Sequence, residues 1–311
     1  MLALFIIMLL GGCAAVSPRQ QPVTGEGAGF RDATDHIVKL TQKPQRIVSL
    51  ALGTDEILLG LISVERIAAL TYLADDGGIS NVAEQAKQVS VKIRANAETI
   101  ISLQPDLVVT ADLHPAELIQ TIRDAGIPVY VYKAPSTIEE IKKVIGEVAQ
   151  VLGEEARGGQ LLDEMDAQLE QVAAKVRQIP AEKRLCVLRF SLLGGGGGTG
   201  TLFDDICHYA GVKNAANAVG LTRHVILAKE QIVAINPDIF FVPSWDYTGK
   251  TDPEQYKADI QADPALQTVT AIRQKKLIIV PDRHLVCSSQ YIVYGVRDIA
   301  AAAYPQYVEW Q

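Results

Sequence analysis

Apolar residues along the chain recur in two rhythms. Short unbroken runs, among them Ile47-Val-Ser-Leu, Leu107-Val-Val, Val129-Tyr-Val-Tyr and Ile239-Phe-Phe-Val, suit strands buried on both faces of a parallel sheet. Between the runs, apolar positions every three or four residues suit amphipathic helices. Arg46-Ile-Val-Ser-Leu followed by Gly53-Thr-Asp-Glu-Ile-Leu-Leu reads as strand, glycine turn and helix. Arg184-Leu-Cys-Val-Leu-Arg-Phe, a loop from Gly194 to Gly200 and Leu202-Phe-Asp-Asp-Ile read the same way with a longer turn. A helix near Ala116–Ala125, a strand over Pro128–Tyr132 and a helix from Thr137, capped by Ser136 with Glu139 three residues on, continue the alternation. Strands alternating with helices predict an α/β protein with parallel sheets.

The pattern is written twice. Glu98-Thr-Ile-Ile-Ser-Leu-Gln-Pro-Asp106-Leu-Val-Val returns as Glu230-Gln-Ile-Val-Ala-Ile-Asn-Pro-Asp238-Ile-Phe-Phe. Each copy has a Glu opening a short helix, a Pro-Asp break, then an apolar strand. Two copies predict two similarly built Rossmann-like lobes. Between them, Glu154–Gln178 carries Leu161, Leu162, Met165, Leu169, Val172 and Val176 at helical spacing, and Pro180 follows. This predicts a single long α-helix of about 36 Å joining the lobes, and small opening motions rather than a wide clamshell.

Residues 2–10 are uncharged and apolar, too short a run to span a bilayer as a helix, which needs about 20 residues, and so read as part of a signal peptide. Leu10-Gly-Gly-Cys13 resembles the bacterial lipobox, which implies cleavage before Cys13 and lipidation of its thiol. No Lys or Arg precedes the apolar run, which leaves the true start codon open. The expected organisation is a signal peptide (1–12), a flexible lipid-anchored tether (13–34), a first lobe (35–153), the connecting helix (154–179) and a second lobe (180–311). With 48% hydrophobic and 21% charged residues in 311, the rest is an ordinary globular chain. A net charge of −7 supplies no basic field for phosphates, which argues against nucleic-acid binding. Cys186, Cys207 and Cys287 have no metal or redox spacing and permit at most one disulfide.

Lipobox, tether, twin parallel-sheet lobes and one connecting helix together resemble the substrate-binding lipoproteins of ABC importers for cobalamin, ferric siderophores and haem. Pro44-Gln-Arg-Ile-Val-Ser-Leu, Leu103-Gln-Pro-Asp-Leu-Val-Val and Ser288-Ser-Gln-Tyr-Ile-Val-Tyr-Gly are similar to phrases of that family, and the likeness covers Ile37 to about Val308. The resemblance implies no enzyme activity and no resident cofactor. It implies instead a ferric siderophore, cobalamin or haem as ligand, an ABC permease dimer with its ATPase subunits as partner, and a place on the outer face of the cytoplasmic membrane. It also assigns Glu98 and Glu230 to docking against permease arginines, a task suited to bidentate carboxylate–guanidinium pairs; each Glu also suits its helix N-terminus.

In open α/β lobes the ligand sits beyond the carboxyl ends of the strands. Lys92 and His224 each lie six residues before a docking Glu, as equivalents facing the cleft. Cobalamin binders of this kind carry Trp at both places, and haem binders place a Tyr beside the first; Val91 and Lys92 stand there instead. Arg94, four residues before Glu98, stands near where siderophore binders of the resembled family present an Arg to the metal-bound oxygens; Lys92, Arg223 and Arg283 offer further cations, and Tyr72, Trp245 and Tyr247 offer aromatic walls. This ranks a ferric siderophore first, cobalamin next and haem third. His224 and His284 are alternative iron or cobalt ligands, but His36, His114 and His208 have no ligand spacing, and no bare zinc or manganese set is apparent. The alternative class, an enzyme using the glycine loop at Gly194–Gly200, lacks the Lys of a phosphate loop because Thr201-Leu202 follow.

Overall fold

The computed structural model describes residues 28–192, 197–220, 222, 227–246 and 248–307. The signal peptide, Cys13, most of the tether, part of the glycine loop, Arg223, His224 and Tyr247 lie outside the described residues. The first lobe runs β1 (Ala28–Arg31), β2 (Ile37–Leu40), β3 (Ile47–Ser49), α1 (Leu52–Leu61), β4 (Ile67–Thr71), α2 (Ala83–Ala86), β5 (Lys92–Ile93), α3 (Ala97–Ser102), β6 (Leu107–Ala111), α4 (Ala116–Asp124), β7 (Val129–Tyr132) and α5 (Ile138–Leu152). After α6 (Glu155–Val176), the second lobe runs β8 (Cys186–Arg189), α7 (Leu202–Tyr209), β9 (Lys213–Asn214), α8 (Lys229–Ile235), β10 (Ile239–Val242), α9 (Pro253–Ala262), α10 (Thr270–Arg273), β11 (Leu277–Ile279), α11 (Asp282–Leu285) and α12 (Ile292–Ala303).

Both main sheets are parallel. Their orders are β5-β4-β3-β6-β7 and β11-β10-β8-β9, so β4-β3-β6-β7 matches β9-β8-β10-β11 strand for strand. The repeated Pro-Asp has the same task in each. Asp106 accepts from the backbone N–H groups of Gln45 (2.7 Å) and Arg46 (2.8 Å), just before β3. Asp238 accepts from Cys186 N (2.8 Å), the first residue of β8. Gln104 and Asn236, before the prolines, both take left-handed φ values of 48° and 52°, the conformation that turns the chain from helix into strand.

Alternation along the strands assigns their two faces. Val48, Val108, Val129 and Val131 feed one apolar cluster with Ile100 and Ile122; Leu188, Phe240 and Val242 feed its counterpart in the second lobe. Ile47, Leu107, Val109, Val187, Ile239 and Phe241 point the other way, into a single cluster that contains residues of α1, α5, α6, α7 and α12. The two lobes therefore share one core. Glu154, ahead of α6, pairs with Arg66 and Lys43 of the first lobe. At the far end Val176 packs on Gly211, where a Cβ would lie 2.1 Å from Val176 Cγ1.

Three expectations need correction. A lone connecting rod is too sparse a picture, because α6 packs on α5 and α12 as well as on α1 and α7; its apolar stripe demands cover along its length. Residues 28–34 do not belong to the tether: β1 and β2 form an antiparallel hairpin whose turn is tied by Asp32 to Thr34, His36 and Arg123. The cap of α5 falls one residue late, with Thr137 accepting from Glu140 N (3.1 Å) while Glu140 accepts from Ser136 N and Oγ. That register sends Ile138 into the core, fully buried.

A polar seam crosses the shared core. Glu56 of α1 is fully buried and accepts from Asn81 N (2.8 Å) and Nδ2 (2.9 Å) and, from the other lobe, Ser289 Oγ (2.5 Å). Gln290 Nε2 donates to its backbone carbonyl at 2.7 Å. Burial pushes the Glu56 carboxyl up from 4.5 to about 7, and burial likewise raises its neighbour Asp55 to about 7.

Two measurements check these roles. Asp106→Ala and Asp238→Ala should each lower unfolding free energy by about 1–3 kcal/mol in urea denaturation, since each orphans strand N–H groups held by a charged acceptor. For Glu56, the unfolded carboxyl loses its proton near 4.5 while the folded one keeps it to about 7, so stability falls as pH rises through that window. Glu56→Gln should then be more stable than the parent at pH 8, by on the order of 1–3 kcal/mol, and lose that gain by pH 4.5. A pH-independent difference would contradict the raised value.

Candidate functional site

The loops that follow the carboxyl ends of both parallel sheets meet across the lobes, Trp245 with Asp76 and Arg283 with Gly77, and mark the candidate cleft. From the first lobe come the turn Tyr72–Asp75 after β4, the loop Asp76–Asn81 and Arg94 directly after β5. From the second come Arg189 at the end of β8, Ser244 and Trp245 after β10, and Asp282 and Arg283 after β11.

On the first-lobe wall the Arg94 guanidinium lies over the Tyr72 ring, its Cζ 3.6 Å from the centroid. Arg94 is exposed, and Tyr72 retains 44% of its surface. Among the described residues Arg94 enters no ion pair, and its guanidinium rests on an aromatic face. Lys92 is used differently. Its ammonium donates to the carbonyls of Ala86 (2.9 Å) and Val89 (2.6 Å) and stands 3.1 Å from Asp75, so its charge is spent on the protein's own acceptors.

The second-lobe wall reaches across. Trp245 Nε1 donates to Asp76 Oδ2 at 2.8 Å, and the indole rests on Gly78, where a Cβ would lie 2.3 Å from Cδ1. Only glycine admits that contact. Arg283 Nη1 donates to the Gly77 carbonyl at 2.9 Å, and its own carbonyl accepts from Asn81 Nδ2 at 2.7 Å. His284 is held by Asp298 (2.6 Å) against the Tyr294 ring, and His114 donates through Nε2 to the Leu50 carbonyl (2.8 Å). Among the described residues no three His, Cys, Asp or Glu side chains converge as a metal site. Cys186, Cys207 and Cys287 are free thiols, and burial raises those of Cys207 and Cys287 well above the usual range.

Glu98 and Glu230 stand at the same register, second residue of α3 and of α8, and both are exposed. Asn96 caps the first helix by accepting from Thr99 N (2.9 Å). Gln231 closes the second by accepting from Ala228 N (3.0 Å).

Sequence reasoning passed over Asp76, Arg189 and Asp282. The signal was present for two of them: Arg189 is a charge at the end of an otherwise apolar strand, and Asp282 follows Leu277-Ile-Ile-Val-Pro directly. Charges at the carboxyl ends of buried strands belong to the cleft. Asp76 gave no such signal, being one acid in a polar loop.

Twin parallel-sheet lobes with a cleft between their strand ends define a two-lobed solute-binding protein. The chain belongs to the periplasmic binding protein family, whose model matches residues 47–284. It is 25% identical over 280 residues to YvrC of Bacillus subtilis, an uncharacterised ABC transporter substrate-binding lipoprotein, covering 88% of this chain and 84% of that one. An iron-uptake system-binding protein of the same organism is 20% identical over 299 residues, covering 89% of each. Among solved structures, the periplasmic haem-binding protein RhuT from Roseiflexus sp. RS-1 superposes with a TM-score of 0.71 at 24% identity, covering 84% of this chain and 98% of that one. The protein is thus a solute-binding protein by family, and not an enzyme. Among the described residues no helix is long and apolar enough to cross a membrane.

Proposed function

We propose that this protein is an exported lipoprotein, held on the outer face of the cytoplasmic membrane by lipid on Cys13, that captures a ferric siderophore and hands it to an ABC permease. The observation that carries the ligand class is the exposed Arg94 guanidinium stacked on Tyr72. A ferric catecholate, hydroxamate or carboxylate complex presents several oxygens around a flat chelate ring, and a forked donor lying on an aromatic face meets both. Trp245 and Arg283 supply the opposite wall, and Arg223, His224 and Tyr247 join them in this reading. Lys92 neutralises Asp75 behind the site. Similarity to an iron-uptake binding protein supports the same class. Glu98 and Glu230, matched in register and exposed, are the docking carboxylates for arginines of the permease dimer.

Tryptophan quenching with a ferric tris-hydroxamate, cyanocobalamin and haemin checks the ligand. The ferric chelate should bind, and Arg94→Ala should weaken it about tenfold or more, about 1.4 kcal/mol. Binding of cyanocobalamin alone would move cobalamin to first place, and of haemin alone, haem. Separately, Glu98→Lys with Glu230→Lys should abolish uptake by cells while leaving the affinity of the purified protein unchanged; a lost affinity would move these residues into the pocket.

A further inference from the structure

Asp282 is 4% exposed and gathers three strand ends of the second lobe. Its Oδ2 accepts from the backbone N–H groups of Ser244 (2.8 Å) and Trp245 (3.1 Å), beyond β10. Its Oδ1 accepts from Arg189 Nη2 (3.0 Å), at the end of β8. Its own N–H, beyond β11, donates to Ser244 Oγ (2.8 Å). The two oxygens thus divide the work: one meets a buried cation and the other holds the backbone of the loop that carries Trp245. The next residue is Arg283. Trp245 and Arg283 together make the cross-lobe hydrogen bonds to Asp76, Gly77 and Asn81. Both of these second-lobe residues are therefore attached to Asp282, Trp245 through its backbone N–H and Arg283 as the next residue in the chain.

We propose that Asp282 is the positioning residue of the cleft: it holds Trp245 and Arg283 within reach of the loop 76–81 and so sets how far apart the lobes stand at that edge. The proposal rests on the reading of this cleft as the ligand site. Neutralising Arg189 is the competing role, and the two separate cleanly by substitution. Asp282→Glu keeps the charge for Arg189 but is one methylene longer, so it displaces the Trp245 backbone. Asp282→Asn keeps the volume and loses half of the acceptor set. Arg189→Met removes the cation and leaves the bonds to Ser244 and Trp245.

The chain has two tryptophans, so each variant is made in a Trp310→Phe background, leaving Trp245 as the single reporter. Folding is verified by circular dichroism. In ligand-free protein, Asp282→Glu and Asp282→Asn should shift Trp245 emission to the red and increase its quenching by acrylamide, whereas Arg189→Met should change neither. Affinity for a ferric tris-hydroxamate should fall at least tenfold in both Asp282 variants. Wild-type emission in either folded Asp282 variant overturns the proposal, as does the same shift in Arg189→Met. An emission shift with unchanged affinity confines Asp282 to its loop and overturns its role in the cleft. If the parent does not bind the ferric chelate, the ligand reading fails, and the emission measurements still decide Asp282.

Discussion

A parallel sheet has to be covered on both faces, because its strands are apolar in both directions. In this protein the outer face of each sheet has its own cover, and the inner faces share one, built from α1, α5, α6, α7 and α12. That shared cover fixes the lobes side by side and leaves the carboxyl ends of the strands as the open margin between them. The cleft is a consequence of how the sheets are buried. Large separation of the lobes would expose the common core, so small adjustments at the cleft are the motions this architecture favours.

The margin is organised by polar groups that the core alone cannot align. Glu56 ties α1 to Ser289 inside the seam, and Asp282 ties the ends of β8, β10 and β11 together where the cleft begins. Both acids are buried and both are supplied with several donors, as buried polar groups require. The cationic and aromatic groups divide accordingly. Lys92 and Arg189 are matched to acids within their own lobes, while Arg94, exposed, lies on the Tyr72 ring.

Much of the fold was legible. The doubled Glu, Pro-Asp and apolar run marks equivalent elements, and the matching strand orders follow from it. The physical reason for the repeat is plain once the backbone is seen: Asp106 and Asp238 satisfy N–H groups at the start of the adjacent central strand. Local signals failed where a distant partner intervened. The cap of α5 slid from Ser136 to Thr137 so that Ile138 enters the core, and Gly29 and its neighbours, tether-like in composition, were recruited as a hairpin because Asp32 meets Arg123 of α4. Of the candidate residues, Tyr72 and Trp245 were accessible to reasoning from strand ends, while Arg94 was named through the family resemblance and Arg283 for its charge. Lys92 was named for its charge, which Asp75 and two carbonyls absorb.

By itself the amino-acid order determined the alternating strands and helices, their duplication, the amphipathic length of α6 and the kinds of chemistry available at each strand end. These depend on residue spacing and on neighbours within a few turns, which a linear chain displays directly. Tertiary structure alone decided that the lobes share a core, that Glu56 meets Ser289 and that Trp245 meets Asp76. Those pairs join residues 233 and 169 positions apart. Whether a charge remains available for a ligand depends on the partners that folding brings to it, and no local pattern records them.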